Sequence, residues 1–266
     1  MQLEEEIIGL FAETPRLTFK AVECAVRHLR PIVARNEIRS AVKTLLEKGL
    51  LRYSHRFGFS ELERNYARPH RVAPRIWLGP AETDTAVASG EVMVLLASGA
   101  SFGCGDHPTT RLALQGVDMA VERLNSRQSI LDIGTGTGVL ALAALALGME
   151  SAVALDIDPL ACHETMANAR LNGMEKRMIA TERTLEDLGE QRFNLLTANL
   201  RPPTLKVLFQ AMHQHTAENG FWVLSGFRCE EMPDLRPYTE GGGRVIRWTA
   251  KEGGWGAWLV SCPLLA

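Results

Sequence analysis

Residues 130–148 read ILDIGTGTGVLALAALALG, in which an apolar strand pattern, a glycine-rich turn and an apolar helix pattern follow one another. The turn has the form G-x-G-x-G at Gly134, Gly136 and Gly138. Glycine allows the backbone to turn tightly and lets a ligand approach it without meeting side chains. The dinucleotide fingerprint G-x-G-x-x-G would need a further glycine where Val139 stands. The turn therefore predicts a nucleotide-like ligand other than NAD.

Two acidic residues sharpen the ligand prediction. Asp156 ends the next apolar stretch in AVALDIDP (residues 152–159) and follows Asp132 by roughly two dozen residues, the spacing of a ribose-binding carboxylate. Asp158 is placed to cap the following helix, with Pro159 at its first position. Asp132 lies beside the glycine turn, where it would attract an ammonium group. This combination indicates S-adenosylmethionine, and the alternative is a tight turn and a capping aspartate without a ligand.

The pattern around this motif predicts an α/β fold. Strand and helix patterns alternate from Ser129 onward, which is typical of a parallel sheet covered by helices on both faces. Two late β-like stretches separated by the turn KEGG predict an antiparallel terminal hairpin. The predicted strands are 76–78, 92–97, 129–133, 151–155, 177–181, 193–198, 220–225, 244–249 and 255–261, and the predicted helices are 109–124, 138–147, 159–171 and 203–216.

The front of the chain has a different organisation. Helical periodicity occurs at residues 3–11, 19–29 and 36–49, with Asn36 placed to cap the third helix and Gly49 to end it. The stretch LLRYSHRFGFSEL (residues 50–62) then alternates around a turn at Gly58 and predicts a hairpin. This order resembles a winged-helix module, so we predict two domains, residues 1–65 and 66–266, joined by a polar, arginine-rich segment.

Composition limits the possible partners. No apolar run is long enough to cross a bilayer, and Glu4–Glu6 stand where a signal peptide would be basic, so we expect a soluble, cytoplasmic protein. The five cysteines form no C-x-x-C pair and indicate reduced thiols. Residues 1–75 contain fourteen Lys or Arg and nine Asp or Glu. This excess leaves open either an acidic or nucleic-acid partner or an ordinary mixed-charge surface.

Further segments carry a family resemblance. FGCGDHPTT (residues 102–110) is similar to F-G-T-G-x-H-x-T-T, and LTANLRPPTL (residues 196–205) resembles V-x-A-N-I-L-x-x-P-L, both from the bacterial ribosomal protein L11 methyltransferases, the PrmA family. The late AKEGGWGAWLV (residues 250–260) resembles the closing E-x-x-W hairpin of that family. The resemblance covers residues 90–262 and implies the class I, seven-stranded methyltransferase fold.

The resemblance also implies site residues and a substrate. It implies that the cofactor is contacted by Thr110, Gly134, Asp156 and Asn199. It further implies a lysine N-methyltransferase with ribosomal protein L11 as substrate. The sequence departs from the family at Cys104, where threonine is usual, and at Arg201, a bulky cation in a run of small residues. The family's ferredoxin-like substrate-recruiting domain also differs from the helices and wing predicted here.

The loop around Cys104 and His107 allows three interpretations. A zinc site lacks two further ligands at local spacing, and a Cys nucleophile lacks an orienting partner for its base. We therefore predict a loop that covers the cofactor, with Phe102 over the adenine or sulfonium end and Pro108 stiffening the bend. His107 is either a proton acceptor or a structural hydrogen-bonding group.

Asn199 is the predicted catalytic residue. Methyl transfer from a sulfonium needs an aligned, uncharged nucleophile and no elaborate triad, and an amide side chain can orient the N–H groups of an acceptor amine. The alternative for Asn199 is a cap of the helix near Pro202, and Arg201 either binds an acidic substrate group or points into solvent. Two other functions stay open: a methyltransferase for RNA, DNA or a small molecule, and a nucleic-acid-binding regulator that senses S-adenosylmethionine.

Overall fold

The computed structural model describes residues 2–14, 16–56 and 59–263, and the chain divides into two compact units, Met1–Arg68 and Pro69–Ala266. The division falls close to the domain boundary predicted between residues 65 and 66. Among the described residues, no helix has the length and apolar character needed to span a membrane. Each unit has its own hydrophobic core.

The first unit contains three helices and a small antiparallel sheet. Each helix buries one apolar stripe, and these stripes meet in a core that includes Ile7, Phe11 and Ile38. Thr18 caps the second helix, since its hydroxyl accepts a hydrogen bond from the backbone N–H of Ala21. The strand order is β1-β3-β2. The elements are α1 (Gln2–Glu13), β1 (Arg16–Leu17), α2 (Phe19–Leu29), α3 (Arg35–Glu47), β2 (Leu51–Arg56) and β3 (Phe59–Arg64).

Details of this unit differ from the sequence prediction. Asn36 does not cap α3, because the helix begins one residue earlier and Ala34 occupies the cap position. The Glu37 carboxylate accepts the backbone N–H of Ala34 and so supplies the capping interaction from inside the helix. Gly49 ends the helix in the left-handed region at φ 68°, as predicted. The predicted turn at Gly58 lies outside the described residues, and the winged-helix assignment remains a prediction.

The second unit confirms the predicted α/β class. Its seven-stranded sheet has the order β12-β13-β11-β10-β7-β8-β9, with parallel pairing except for β13, which runs antiparallel to both of its neighbours. The elements of this sheet and its helices are α4 (Pro108–Arg123), β7 (Ser129–Ile133), α5 (Val139–Ala146), β8 (Ser151–Leu155), α6 (Pro159–Leu171), β9 (Met178–Thr181), β10 (Phe193–Asn199), α7 (Pro202–Gln214), β11 (Thr216–Arg228), α8 (Met232–Thr239), β12 (Val245–Glu252) and β13 (Trp255–Ser261).

A second, three-stranded sheet precedes the main one in this unit and was not predicted as a separate layer. It consists of β4 (His70–Arg71), β5 (Ile76–Pro80) and β6 (Val92–Leu96), in that order. Its apolar side chains join the core cluster that contains α4 and α5. Helix α5 is buried along its whole length because β7 and β8 lie on one side of it and β6 on another, which explains why it is apolar all round.

The strand order decides where a ligand can bind. The chain proceeds from β7 to β8 and β9 on one side of the sheet, and β10 then pairs with the opposite edge of β7. The carboxyl ends of β7, β8 and β10 consequently meet around one crevice, the usual ligand site of an open α/β sheet.

Candidate active site

A cavity of about 920 Å³ lies in this crevice at the strand ends. Its size falls in the range of small-molecule sites, roughly 300–1,000 Å³. Six of the eight predicted site residues line it: Phe102, Thr110, Gly134, Gly136, Asp156 and Asn199.

The glycine turn presents bare backbone to the cavity. Gly134 and Gly136 have φ angles of 72° and 56°, a region that side-chain-bearing residues rarely adopt. A Cβ at Gly136 would overlap the carbonyl oxygen of Phe102, and a Cβ at Gly134 would collide with Leu200. Both close approaches require glycine.

The other two predicted residues, Gly138 and Asp132, do not line the cavity. Gly138 begins α5 and packs against Thr165, where a Cβ would be crowded. Asp132 is fully buried, and its carboxylate accepts hydrogen bonds from the hydroxyls of Thr135 (2.7 Å) and Thr197 (2.6 Å). Burial raises the pKa of Asp132 from 3.8 to about 6. Because Asp132 does not line the cavity, its position gives no support for the predicted attraction of a ligand ammonium group. Its hydrogen bonds to Thr135 and Thr197 brace the glycine turn instead.

Asp156 is fixed at the end of β8 by backbone N–H groups. Its Oδ2 accepts from Gly136 (2.9 Å) and its Oδ1 from Asp158 (3.1 Å). The Asp158 side chain caps α6 by accepting the Leu160 N–H at 2.9 Å, which confirms that cap prediction. Asp156 lines the cavity, and each of its carboxylate oxygens keeps a further lone pair, so the group can accept two vicinal hydroxyls.

The loop at residues 100–107 is tied to the glycine turn through Thr137. The Thr137 N–H donates to the carbonyl of Phe102 (3.0 Å), and its hydroxyl donates to the carbonyl of Gly103 (3.1 Å). The Phe102 ring lines the cavity and keeps 54% of its surface exposed. The loop is therefore a bonded wall of the cavity, and its aromatic ring remains available to a ligand.

Helix α6 holds the start of the same loop. The Glu164 carboxylate accepts the backbone N–H groups of Ala100 (2.9 Å) and Ser101 (3.0 Å). The hydrogen bond from Ala100 is the main reason why the pKa of Glu164 lies below its usual value of 4.5. The position of Ser101 at the cavity thus depends on an ionised glutamate outside it.

Arg111 joins the end of the loop to the terminal hairpin. Its Nη1 donates to the carbonyls of Gly105 (3.2 Å) and Asp106 (2.6 Å), and its Nη2 pairs with Glu252 at 2.6 Å. The side chains of the pair are only 6% and 14% exposed. Glu252 lies in the hairpin three positions before Trp255, so this buried pair aligns two walls of the cavity.

Aromatic rings continue along this side of the cavity. The His107 ring packs edge to face against Phe102 (5.2 Å between centroids) and against Trp255 (5.0 Å). The guanidinium of Arg228 lies over the Trp255 ring, 3.9 Å from its centroid. His107 and Trp255 both line the cavity with Phe102.

The hydrogen bonds of His107 favour a structural role. The residue caps α4, and its Nδ1 accepts the Thr109 N–H at 3.3 Å. Burial lowers the pKa of His107, so the ring is neutral near pH 7. With Nδ1 as an acceptor, the ring proton lies on Nε2, and His107 offers a hydrogen-bond donor instead of a base.

Cys104 is not positioned as a nucleophile. Its thiol donates to Asp106 Oδ1 at 3.1 Å, and partial burial raises the pKa of the thiol, which disfavours the reactive thiolate. Within residues 2–14, 16–56 and 59–263 there is no group of three or more His, Cys, Asp or Glu that could hold a metal ion.

Among the described residues, two buried oxygens at the cavity, Thr110 Oγ1 and Asn199 Oδ1, lack any hydrogen-bond partner. Buried polar groups are nearly always paired, and an unpaired one costs about 1–3 kcal/mol. Their convergence on one cavity indicates that a polar ligand completes their hydrogen bonding.

Asn199 is the last residue of β10, opposite Ser225 of β11. It does not cap α7, because that helix begins at Pro202 with Arg201 in the cap position. The alternative role of Asn199 as a helix cap is therefore wrong, and its amide is left to face the cavity. Arg201 lines the cavity as well, with an exposed side chain.

Several lining residues were missed from the sequence. Ser101 and Trp255 were quoted in motifs without a role, whereas the apolar Ile157 and Leu185 gave no motif. Ile157 directly follows Asp156 and is 92% exposed, an unusual exposure for an isoleucine. An apolar residue after the ribose-type carboxylate was the available signal, because a planar base needs an apolar contact there.

Comparisons with known proteins agree with this geometry. The family model described as ribosomal protein L11 methyltransferase (PrmA) matches residues 59–261, more than half of the chain. The chain belongs to this family. A relative from Geobacter metallireducens with that name is 32% identical over 196 residues, which is 74% of this chain and 63% of the relative. One from Chromobacterium violaceum is 34% identical over 174 residues, 65% of this chain and 56% of the relative.

The fold comparison points to the same family. A crystal structure of the ribosomal protein L11 methylase from Lactobacillus delbrueckii subsp. bulgaricus matches with a TM-score of 0.64 and 25% identity, covering 74% of this chain and all of that chain. This structural match confirms the class I methyltransferase fold for the second unit.

The similarity covers only part of the curated relatives. This chain spans 63% and 56% of the length of the two relatives above, and the family match begins at residue 59.

Proposed function

We propose that the protein is an S-adenosylmethionine-dependent N-methyltransferase of protein amines, with lysine side chains of ribosomal protein L11 as the acceptor. The unpartnered Asn199 Oδ1 in the cavity is the observation that carries this proposal. Family membership supplies the substrate, since the relatives are named for it. The cytoplasmic location expected from the sequence is part of the same proposal.

The cavity fits S-adenosylmethionine in its chemistry. The bare backbone at Gly134 and Gly136 admits a close ligand, and Asp156 offers both oxygens to ribose hydroxyls. The unpaired hydroxyl of Thr110 and the hydroxyl of Ser101 line the same cavity and can bind the polar groups of its amino-acid part. When bound, S-adenosylmethionine supplies a methyl group on a positively charged sulfur.

In this proposal, Asn199 orients the acceptor amine. Its Oδ1 can accept one N–H of a neutral amine and so direct the nitrogen lone pair into the cavity. Burial of the amine lowers its pKa and favours the neutral, nucleophilic form. In the transfer, a nitrogen–carbon bond would form as the carbon–sulfur bond of the sulfonium breaks, the sulfur would keep the electron pair as a neutral thioether leaving group, and the methylated nitrogen would then lose a proton to water. His107 does not take that proton in this proposal, because its Nδ1 already accepts the Thr109 N–H.

The nucleic-acid alternatives draw less support from the structure than from the sequence. Among the described residues, nine of the fourteen Lys and Arg of residues 1–75 form ion pairs, and two of them, Arg71 and Arg75, pair with carboxylates outside this segment, which lowers its basic excess from five to three. These pairs are Arg16 and Arg52 with Glu63, Arg27 and Arg35 with Glu23, Arg30 with Glu6, Lys43 with Glu47, Lys48 with Glu4, Arg71 with Glu91, and Arg75 with Asp118.

A regulator that only senses S-adenosylmethionine would need fewer of the residues in this cavity. A sensor of S-adenosylmethionine needs the glycine turn and Asp156, but it does not need an unpaired amide beside them. Asn199 Oδ1 is therefore better explained by an acceptor amine than by cofactor sensing alone.

The test is transfer of labelled methyl from S-adenosylmethionine to purified ribosomal protein L11, intact ribosomes and a ribosome-free lysate. We expect label on lysine side chains of the ribosomal protein, found by peptide mass spectrometry. Label only in RNA or in a small molecule would replace the substrate class. Tight cofactor binding without transfer to any fraction would favour the regulator.

A further inference from the structure

Two arginines flank the acceptor end of the cavity. Arg201 follows β10 two residues after Asn199 and lines the cavity. Arg228 ends β11, the strand that pairs with β10, and lies over the cavity-lining Trp255. Because parallel strands end at the same edge of the sheet, both arginines follow strand ends at the edge where Asn199 lies.

Neither guanidinium makes an ion pair or a side-chain hydrogen bond within the described part of the chain. Arg75 and Arg111 of the same unit, in contrast, are each paired with a carboxylate. Both side chains are exposed. Stacking on Trp255 fixes the plane of the Arg228 guanidinium and leaves its N–H edges open to a ligand.

We propose that Arg201 and Arg228 form a carboxylate-binding site that selects acceptor lysines with acidic neighbours. This inference rests on the proposed function, because it names the kind of protein segment that enters the same cavity. An arginine matches a carboxylate with two parallel N–H···O bonds, which a lysine cannot do. Arg201 also begins α7, whose N-terminal dipole attracts an anion.

The surroundings favour a compact acidic group over a nucleic-acid backbone. Helix α7 begins with Pro202 and Pro203, which have no N–H to offer to phosphates, so the guanidiniums are the main donors on this rim. A polyanion would need a longer row of free cations. The positive charges of Arg201 and Arg228 also lower the pKa of an amine bound beside Asn199 and so favour its neutral form.

The experiment compares two peptides, Ac-Ala-Glu-Lys-Glu-Ala-NH2 and Ac-Ala-Gln-Lys-Gln-Ala-NH2, as inhibitors of L11 methylation. The full-length wild type, Arg201→Gln, Arg201→Lys and Arg228→Gln are assayed with saturating S-adenosylmethionine. Arg170→Gln, an exposed arginine on α6 away from the cavity, is the matched control. Inhibition constants are compared because they report binding whether or not a peptide is itself methylated.

We expect the Glu peptide to bind the wild type and Arg170→Gln about 10-fold more tightly than the Gln peptide, as a charge-assisted bidentate pair requires. The preference should shrink to within about twofold in Arg201→Gln, shrink partly in Arg228→Gln, and persist partly in Arg201→Lys. Added salt should reduce it, because the rim is exposed.

Equal inhibition by both peptides, or no inhibition by either, would overturn the inference while L11 labelling still upheld the proposed function. An Arg201→Gln variant that loses affinity for S-adenosylmethionine instead would show that Arg201 binds the cofactor carboxylate. Inhibition by an RNA oligonucleotide with the same dependence on Arg201 would replace the acidic protein segment with a phosphate ligand. No label in L11 from the wild type would overturn both proposals.

Discussion

The two sides of the cavity differ in how completely the chain satisfies its own polar groups. On the side we call the nucleoside side, formed by residues 134–136 and Asp156, the carboxylate already accepts two backbone N–H bonds. On the side we call the acceptor side, the Asn199 amide carries a buried oxygen without a partner. The nucleoside side is preformed, whereas the acceptor side is completed by what binds there.

This difference separates the energetic roles of the two sides. A preformed carboxylate contributes to affinity, because little ordering is needed when the ligand arrives. Unsatisfied oxygens cost about 1–3 kcal/mol each and persist where function requires them. Changes on the nucleoside side should therefore reduce cofactor affinity, and changes on the acceptor side should reduce the rate of transfer.

The largest effect is expected from Asp156→Ala. This change removes both ribose acceptors and releases the N–H groups of Gly136 and Asp158, so S-adenosylmethionine affinity should fall by about 100-fold or more. Titration calorimetry measures the dissociation constant. Glu150→Ala, at an exposed position after α5, is the matched control. Unchanged affinity in Asp156→Ala would show that Asp156 does not bind the ribose hydroxyls and that the nucleoside side is not a preformed binding site.

Glu252→Gln tests whether the buried ion pair with Arg111 aligns the acceptor side. Loss of one buried partner should lower the free energy of unfolding by about 2–3 kcal/mol, and the transfer rate should fall by more than the cofactor affinity does. Urea denaturation and methyl transfer are measured on the same protein.

The control for this change is Glu240→Gln, which breaks the exposed pair with Arg236 and should cost less than about 1 kcal/mol. If Glu252→Gln lowers stability but leaves the transfer rate intact, the pair serves folding alone.

Asp132→Asn tests the claim that Asp132 braces the glycine turn as a buried acid. Since its folded pKa is raised from 3.8 to about 6, the folded protein takes up a proton between these pH values that the unfolded chain does not. Its contribution to the free energy of unfolding therefore rises as the pH falls, by about 3 kcal/mol across the whole window and by about 2 kcal/mol between pH 7 and pH 4.5. The variant should lack this rise in urea denaturation at pH 7 and pH 4.5. Identical profiles would assign the titration to other groups.

The smallest effect is expected from Glu164→Gln, which weakens the anchor of Ser101. The pKa of Glu164 is lowered in the folded state, so the anchor is present above pH 4.5 and is lost as the pH falls through the folded pKa. At pH 7 the variant should transfer methyl groups about threefold more slowly, with little change in stability, because the carboxylate is at the surface. A loss as large as that of Asp156→Ala would show that the loop wall governs cofactor binding.

The sequence predicted the main sheet well because its signals are local. The strands at 129–133 and 151–155 have the predicted bounds, since continuous apolar runs flanked by glycine and aspartate leave few alternatives. Strand β11, in contrast, extends over Thr216–Arg228, well beyond the predicted 220–225. Its C-terminal end pairs with β13 and its first residue, Thr216, pairs with Phe193 of β10, and no local pattern reports these contacts between residues distant in the chain.

The site was predictable in part for the same reason. Glycine spacing and Asp156 identified the nucleoside side, because backbone conformation and strand ends determine it locally. The direction of the Asp132 side chain was not predictable, since it depends on Thr197 of another strand. The anchoring of the loop by Arg111 and Glu252 likewise joins residues far apart in the sequence.

The measurement that tests the central claim most directly is the effect of Asn199→Ala on two quantities, the dissociation constant of S-adenosylmethionine and the single-turnover rate of methyl transfer to ribosomal protein L11. The account predicts a rate about 100-fold lower, because one preorganised hydrogen-bonding group is lost, while the dissociation constant changes less than about fivefold. An unchanged rate, or a loss explained wholly by weaker cofactor binding, would contradict the assignment of Asn199 to the acceptor amine.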